Sequence, residues 1–315
     1  MPMLKRKRIK KHRSVYEKYL RFKIISLTSI AVLLGGLFAL VFINYDYMQF
    51  RLLIAGNYIH TDVLDEMFET HLGFVPDNYG RYFDNLVIAV VTQEIRQVGG
   101  DRFTYQYTPA MRQAQRDRVI QQAAQAEFRE IADGIAYLWL PNISHMVEDF
   151  VMQNKAELAG FDNLVLDLRG NGGGNLAVSQ AIAGLFLERR TVVGIDYARH
   201  NIFTRQRRAS GNVYLEFDQI IILQDHRTAS AAESLIAALQ ANLDNVTTIG
   251  QTSVGKAVGQ VTLPMRRGFA VRATVIYIQT PDGGSIHNMG LSPNIYLYGQ
   301  DFIEFALELL RSDNE

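Results

Sequence analysis

A serine and a lysine are the residues of this 315-residue chain whose types and settings could carry out chemistry together. Ser230 stands where a strand-like run gives way to a helical pattern, and Lys256 directly follows Gly255. A serine hydroxyl needs a base before it can attack a carbonyl carbon. No local pattern sets up a histidine as that base, whereas a lysine that burial keeps neutral can accept the proton. The pair therefore indicates serine–lysine chemistry.

The segment around Ser230 also permits a purely structural interpretation. Ser230 and Glu233 have the S-x-x-E spacing of a capping box, in which the two side chains close the start of a helix. The strand–turn–helix setting resembles a nucleophile elbow in geometry, although the sequence G-x-S-x-G is absent. Taken alone, this segment favours the helix cap, so the choice depends on the other segments.

A glycine-rich turn, DLRGNGGG at residues 167–174, follows the strand-like run LVLDL. Glycines let the backbone approach a ligand closely, and amides at the start of a helix can stabilise an oxyanion. The spacing Gly170-x-Gly172-x-x-Asn175 lacks the third glycine of a dinucleotide-binding loop. Two interpretations stay open at this point, a surface turn and an oxyanion hole.

The lysine segment, GQTSVGKA at residues 250–257, nearly matches a phosphate-binding P-loop. Ala257 stands where a P-loop has the Ser or Thr that holds Mg²⁺, and a β-like run follows where a helix is required. Lysines usually lie at the surface. Because this stretch is poor in charge, Lys256 could instead be buried, and burial would lower its pKa enough to make it a base.

Composition and periodicity predict how the chain is organised. Short β-rich runs alternate with helical patterns from residue 133 to 315, which predicts an α/β core. Residues 46–132 predict a helical subdomain, with helices over 63–72, 85–98 and 111–132. The absence of cysteine excludes disulfides and thiolate chemistry, and the scattered histidines predict no metal and no cofactor.

The N-terminal region predicts a membrane anchor. Residues 1–23 carry ten Lys or Arg and one acid, and residues 24–43 carry no charge. Twenty residues at about 1.5 Å each span a hydrocarbon layer of roughly 30 Å. We expect a single-pass signal anchor in the cell membrane, with a cytoplasmic N-terminus and an extracytoplasmic catalytic domain, rather than a cleaved signal peptide or a buried helix. This topology explains the basic cluster more simply than nucleic-acid binding does.

The joint order of these segments resembles the carboxyl-terminal processing, or tail-specific, serine peptidases of the S41 type. The family patterns D-L-R-x-N-x-G-G, S-A-S-A-S-E, G-K-G-x-V-Q and P-x-G-x-x-I have counterparts that begin at Asp167, Thr228, Gly255 and Pro281. Residues 101–109 also resemble the family's D-P-Y-S-x-Y-L-x-P. The resemblance implies an α/β fold with a crotonase/Clp-like ββα core and hydrolysis of peptide bonds in extracytoplasmic proteins.

The resemblance also implies roles for individual residues. Ser230 would be the nucleophile, Lys256 the base and Gln260 the residue that orients the lysine. The amides of Ala231 and Gly173 would form the oxyanion hole. The alternative is a non-catalytic scaffold or regulatory relative that keeps the fold and binds peptides. Retention of all these groups together argues against that alternative.

The sequence departs from the family pattern in one large respect. The family inserts a PDZ domain after the segment that corresponds to residues 101–109, but here about two dozen residues separate Pro109 from the next strand-like run. Substrate selection would then depend on the active-site cleft, on the membrane anchor, or on a regulatory protein partner or homo-oligomer. Smaller departures from the family motifs occur at Gly172, Ala232, Ala257 and Gly259.

Overall fold

The structure is a computed structural model that describes residues 14–60, 84–199, 204–211 and 214–312. The helix predicted over residues 63–72, and most of the basic N-terminal segment, lie outside the described residues.

Helices and strands alternate through most of the described chain. The helices are α1 (Val15–Ile43), α2 (Tyr45–Asn57), α3 (Asp84–Gln97), α4 (Pro109–Ala123), α5 (His145–Leu158), α6 (Leu176–Ala183), α7 (Ala231–Asn242) and α8 (Phe302–Ser312). The strands are β1 (Tyr105–Tyr107), β2 (Glu127–Ala132), β3 (Ile135–Trp139), β4 (Asn163–Asp167), β5 (Val192–Ala198), β6 (Arg205–Arg208), β7 (Gln219–Gln224), β8 (Val246–Gly250), β9 (Val258–Pro264), β10 (Ala270–Gln279) and β11 (Ile295–Tyr296). The α/β class predicted from the sequence is therefore confirmed, as is the helix predicted over 85–98.

The first sheet has the strand order β11-β8-β7-β4-β3-β2 and is parallel except for β2. Successive side chains of a strand point to opposite faces, so a sheet that is covered on both faces has apolar residues at every position. In β4, Leu164 and Leu166 pack into the core that contains α5, α6 and α7, whereas Val165 packs into the core that contains α8. The parallel strands are thus enclosed, and their carboxyl ends meet at one edge.

The second sheet is antiparallel and is organised around β10. Strands β1 and β5 pair with one side of β10, while β9 pairs with its other side. Val271 and Ala273 of β10 pack against Phe50 and Ile54 of α2 and against Ile88 of α3. The N-terminal helices are therefore fixed to a strand that belongs to the predicted peptidase core.

The helix predicted over residues 111–132 is wrong in its second half. Helix α4 ends at Ala123, and residues 127–132 form β2, which pairs antiparallel with β3. Strand pairing and the edge-to-face contact of Phe128 with Phe161 outweigh the helical pattern of this polar segment. The boundary placed between residues 132 and 133 stays a prediction.

Helix α1 has no buried residue, and its carboxyl end is contacted by the turn between β9 and β10. It is 29 residues long, its most apolar stretch has a mean hydropathy of 2.5, and none of that stretch is buried. The Arg266 guanidinium, in the turn between β9 and β10, donates to the carbonyl oxygens of Phe42 and Ile43. The same side chain lies 3.3 Å from the Asp46 carboxylate. The β9–β10 turn therefore holds the carboxyl end of α1.

Candidate active site

Ser230 lies in a sharp turn between β7 and α7. Its backbone has φ 58° and ψ −118°, a positive φ that is uncommon for a residue other than glycine and unlike the extended backbone of a helix cap. The predicted capping box is present, and in it the Glu233 carboxylate accepts a 2.5 Å hydrogen bond from the Ser230 N–H. Backbone strain of this kind costs about 1–3 kcal/mol and is concentrated at functional sites. The geometry favours a nucleophile elbow over an ordinary cap.

Hydrogen bonds connect the loop before Ser230 to the glycine-rich turn. The Asp225 carboxylate accepts hydrogen bonds from the Gly170 N–H at 2.9 Å and the Thr228 N–H at 3.1 Å. Burial opposes ionisation of Asp225, but the Gly170 amide together with the amide and guanidinium of Arg227 outweighs it and lowers the pKa of the carboxyl group. The Thr228 hydroxyl in turn donates to the Leu168 carbonyl at 2.9 Å. The two loops are therefore fixed relative to each other.

Gly173 packs directly against the nucleophile segment. Its φ is 89°, and a Cβ atom added there would lie 2.5 Å from the Ala229 carbonyl oxygen and 2.8 Å from the Ser230 Cβ. Only glycine fits this position. The Gly173 N–H donates to the Asn171 side-chain oxygen at 2.9 Å, while the next residue, Gly174, borders the cavity at Ser230. Gly173 would have to share its N–H in order to act as an oxyanion donor.

The backbone amide of Ala231 lies beside Gly173. Ala231 is the first residue of α7, and the N–H groups in the first turn of a helix have no partner within the helix. Its nitrogen lies only 2.9 Å from the position of a Cβ added to Gly173. The Ala231 amide nitrogen therefore lies directly beside the glycine-rich turn.

Lys256 is half-buried in the loop before β9, two residues ahead of the strand and directly after Gly255. Burial, reinforced by the positive charge of Arg272 and opposed by the Glu233 carboxylate, lowers the pKa of Lys256 to about 8. The lysine nitrogen lies 4.9 Å from the centre of the Phe103 ring. An aromatic and partly desolvated setting of this kind gives a lysine that is neutral often enough to act as a base.

The buried side chain of Glu233 joins the two predicted catalytic segments. It is 0% exposed. Besides the Ser230 N–H, its oxygens accept hydrogen bonds from the Lys256 N–H at 2.9 Å, the Gly255 N–H at 2.6 Å and the Ser253 hydroxyl at 2.5 Å. One carboxylate thus positions the backbone of the serine and that of the lysine, which are distant in sequence. Sequence reasoning found only the local half of this arrangement.

The segment that contains Phe103 is fixed by the buried carboxylate of Asp101. Asp101 accepts hydrogen bonds from the hydroxyls of Tyr58 at 3.0 Å, Thr104 at 2.6 Å and Thr274 at 3.2 Å. These bonds connect α2 and β10 to the loop that contains Phe103, and the Phe103 ring lies beside Lys256. Residues 101–109 resemble a family motif, and the structure gives their first residues a place beside Lys256.

Gln260 lies on β9 and borders a cavity of about 670 Å³ together with Ser230. Its side-chain nitrogen donates to the Val258 carbonyl at 3.1 Å. The predicted role of Gln260 in orienting Lys256 therefore stays a prediction. The remaining polar or charged residues along the cavity are Asn175, Asp196, Arg205 and Arg272.

His226 is exposed and its Nδ1 lies 2.9 Å from the side-chain oxygen of Gln251. Gln251 lies in the loop directly after β8. Across the part of the chain that the structure describes, no group of three or more His, Asp or Glu residues has the arrangement of a metal site.

The fold and this site define an α/β protein with a strained serine at a strand–helix elbow, an amide-lined turn and a lysine of lowered pKa. The model of Peptidase family S41 matches residues 134–297, which is more than half of the chain. The chain belongs to this family of serine proteases, so the resemblance stated from the motifs is confirmed.

Relatives with curated descriptions agree with this assignment. The carboxyl-terminal-processing protease of Synechocystis sp. is 30% identical over 186 residues, which cover 58% of this chain and 42% of that protein. The carboxy-terminal processing protease CtpB of Bacillus subtilis is 29% identical over 170 residues, covering 53% of this chain and 35% of that protein. The matched region spans less than half the length of both relatives.

Solved structures show the same fold at lower identity. A lipoprotein from Streptococcus agalactiae has a TM-score of 0.57 and 19% identity, covering 72% of this chain and 82% of that one. A putative peptidase from Parabacteroides merdae has a TM-score of 0.53 and 18% identity, covering 88% and 95% of the two chains.

Proposed function

We propose that this protein is a membrane-anchored serine endopeptidase of the carboxyl-terminal processing type. The observation that carries the proposal is the Glu233 carboxylate, which accepts one hydrogen bond from the backbone of Ser230, one from that of Lys256, and two more from Gly255 and Ser253 beside the lysine. A buried carboxylate with all its acceptor sites occupied is a rigid support. It places a strained serine and a lysine of lowered pKa in one connected unit.

In the proposed reaction, neutral Lys256 removes the proton of the Ser230 hydroxyl as its oxygen attacks the peptide carbonyl. The amides of Ala231 and of the glycine-rich turn stabilise the negative charge on the carbonyl oxygen. Protonated Lys256 then gives its proton to the leaving amine, and an acyl-enzyme on Ser230 is left. Lys256 next activates a water molecule that hydrolyses the ester, and Gln260 orients the lysine through the cycle.

We propose protein or peptide substrates because the cavity beside Ser230 is large enough for several residues of an extended chain. Between Thr108 and Ile135 the chain forms α4 and β2, and this segment holds no PDZ domain. We therefore propose that the substrate is selected by the cavity itself and by the location of the catalytic domain at the membrane.

The membrane part of the proposal rests on α1, whose length and hydropathy suit a membrane span. The basic residues in and before its first turns favour a cytoplasmic N-terminus. Because Arg266 binds the carbonyl oxygens of Phe42 and Ile43, the catalytic domain would lie directly at the outer surface of the membrane. Substrates would then be extracytoplasmic protein segments that reach this surface.

The test is digestion of an unfolded model protein by the full-length chain in detergent micelles. We expect cleavage by the wild type and by Ser234→Ala, a control that removes a neighbouring buried hydroxyl on the same helix. Ser230→Ala should abolish cleavage. If the wild type fails to cleave, the proposal is wrong and a peptide-binding scaffold takes its place. If Ser230→Ala cleaves normally, Ser230 is not the nucleophile and the proposed mechanism is wrong.

A further inference from the structure

Arg272 is a charged residue of the cavity to which the proposed reaction gives no role as a binding group. It lies on β10, where its Cα pairs with Tyr105 of β1 on one side and with Thr262 of β9 on the other. Its guanidinium donates to the Tyr107 hydroxyl at 3.3 Å. Among the ion pairs of the described residues, none involves Arg272.

Unlike Arg272, the neighbouring Arg205 and Arg207 are each paired with a carboxylate. Asp196 is the one carboxylate among the residues that line the cavity. It is already shared by Arg207 at 2.8 Å and Arg205 at 3.3 Å. One acid therefore faces two arginines, and Arg272 adds a further positive charge to the cavity that Ser230 also lines. The cavity has an excess of positive charge and one guanidinium without a carboxylate.

We propose that Arg272 binds a carboxylate of the substrate and so fixes the position of the peptide relative to Ser230. This inference rests on the proposed function and adds a chemical class to its substrate. A guanidinium presents a planar pair of N–H donors that match a carboxylate, and such charge-assisted bonds are stronger than neutral ones. The two sources of the carboxylate in a peptide are its C-terminus and an Asp or Glu side chain.

A carboxylate held at Arg272 would determine where cleavage occurs. Ser230 and Arg272 line the same cavity, so a peptide bound at both points has its scissile bond at a set distance from the carboxylate. If the group is the C-terminal carboxylate, the catalytic domain can recognise the end of a protein chain by itself. The catalytic domain would then select its substrates without a PDZ insertion.

The test measures binding and does not depend on cleavage. Full-length Ser230→Ala in detergent micelles is titrated with three fluorescent peptides of the same neutral sequence, and Kd is obtained from fluorescence anisotropy. One peptide ends in a free carboxylate, the second in an amide, and the third in an amide after a single added Glu. We expect the free acid to bind about 10- to 100-fold more tightly than the plain amide.

Variants identify the group that is responsible. In the Ser230→Ala background, Arg272→Gln should abolish the difference between acid and amide, and Arg272→Lys should keep part of it. Arg205→Gln is the matched control, because it removes the same charge from the same cavity but from a side chain that is already paired with Asp196. It should leave the acid-to-amide ratio within about threefold.

The outcomes separate the two proposals. Tight binding of the Glu peptide would keep the carboxylate site and assign it to an acidic side chain. Equal Kd values for the acid and both amides, no measurable binding of any peptide, or an equal loss in Arg205→Gln would overturn the inference. A wild type that binds the acid peptide through Arg272 but does not cleave proteins would refute only the proposed peptidase activity.

Discussion

The pH dependence of cleavage follows from the surroundings of Lys256. Burial and the charge of Arg272 lower its pKa to about 8. A base with that pKa is neutral in about a tenth of molecules at pH 7 and in about nine tenths at pH 9. We therefore expect kcat/KM to rise about tenfold over this interval and then to level off. A lysine of ordinary pKa would be neutral in only about 3% of molecules at pH 9.

The perturbation that tests the cause is Arg272→Gln, because the Arg272 charge is the largest contribution to the lowered pKa after burial. Without that charge the protonated lysine is less disfavoured, so the inflection should move above pH 8 and the rate at pH 7 should fall. An amidated peptide is used as substrate, so that loss of carboxylate binding does not enter. Arg205→Gln serves as the control and should leave the inflection in place.

The assay is the initial rate of cleavage of a fluorogenic peptide by the full-length chain in micelles, from pH 6 to pH 10 at constant ionic strength. Lys256→Arg should be inactive across the whole range, because a guanidinium stays protonated. An inflection near pH 6.5 in the wild type would point to a histidine base, and a flat or falling profile would refute the role of Lys256.

Three further predictions concern the supporting residues. Gly173→Ala should lower kcat by about 100-fold or more, because its Cβ would meet the Ala229–Ala231 backbone, whereas Gly172→Ala, which meets no atom within 4 Å, should stay near wild type in the same peptide assay. Glu233→Gln should lower the free energy of unfolding by about 2–4 kcal/mol in a thermal melt, since an amide nitrogen would face two donors; an unchanged melting curve would contradict its role as a support. Lys256→Met should be more stable than wild type at pH 7, with a difference that shrinks as pH rises from about 8 towards 10.5, because the cost of burying the protonated lysine is complete below pH 8 and is lost across that range; denaturant titrations at several pH values measure this.

The parallel sheet could be predicted because its signal is local. Strands β3, β4 and β7 are short apolar runs between helical patterns, and their residues turn alternately to the two cores. Strand β2 could not be predicted in this way, since EFREIA is a polar edge strand that follows an Ala- and Gln-rich helix. Its structure depends on the hairpin with β3, whose Asp133-Gly134 turn is a local signal that the helical pattern of residues 111–132 overrode.

The candidate site shows the same division. The types and spacing of Ser230 and Lys256 identify the chemistry, but the carboxylate that connects them is visible only after folding. Glu233 satisfies a helix-cap pattern locally, and its bonds to Ser253 and Gly255 cross about 20 residues of sequence. Likewise, the spacing of the glycine-rich turn indicates an oxyanion site without showing that the Gly173 N–H already binds Asn171.

The central claim is that Ser230 forms the acyl-enzyme with Lys256 as its base. The most direct measurement is acid quenching of the full-length chain during its reaction with an activated peptide ester, followed by intact mass and peptide mapping. We predict one acyl group on Ser230, formed at a rate that rises with pH around 8, and none in Lys256→Arg. Acylation at another residue, or acylation of Ser230 at an unchanged rate in Lys256→Arg, would contradict the account.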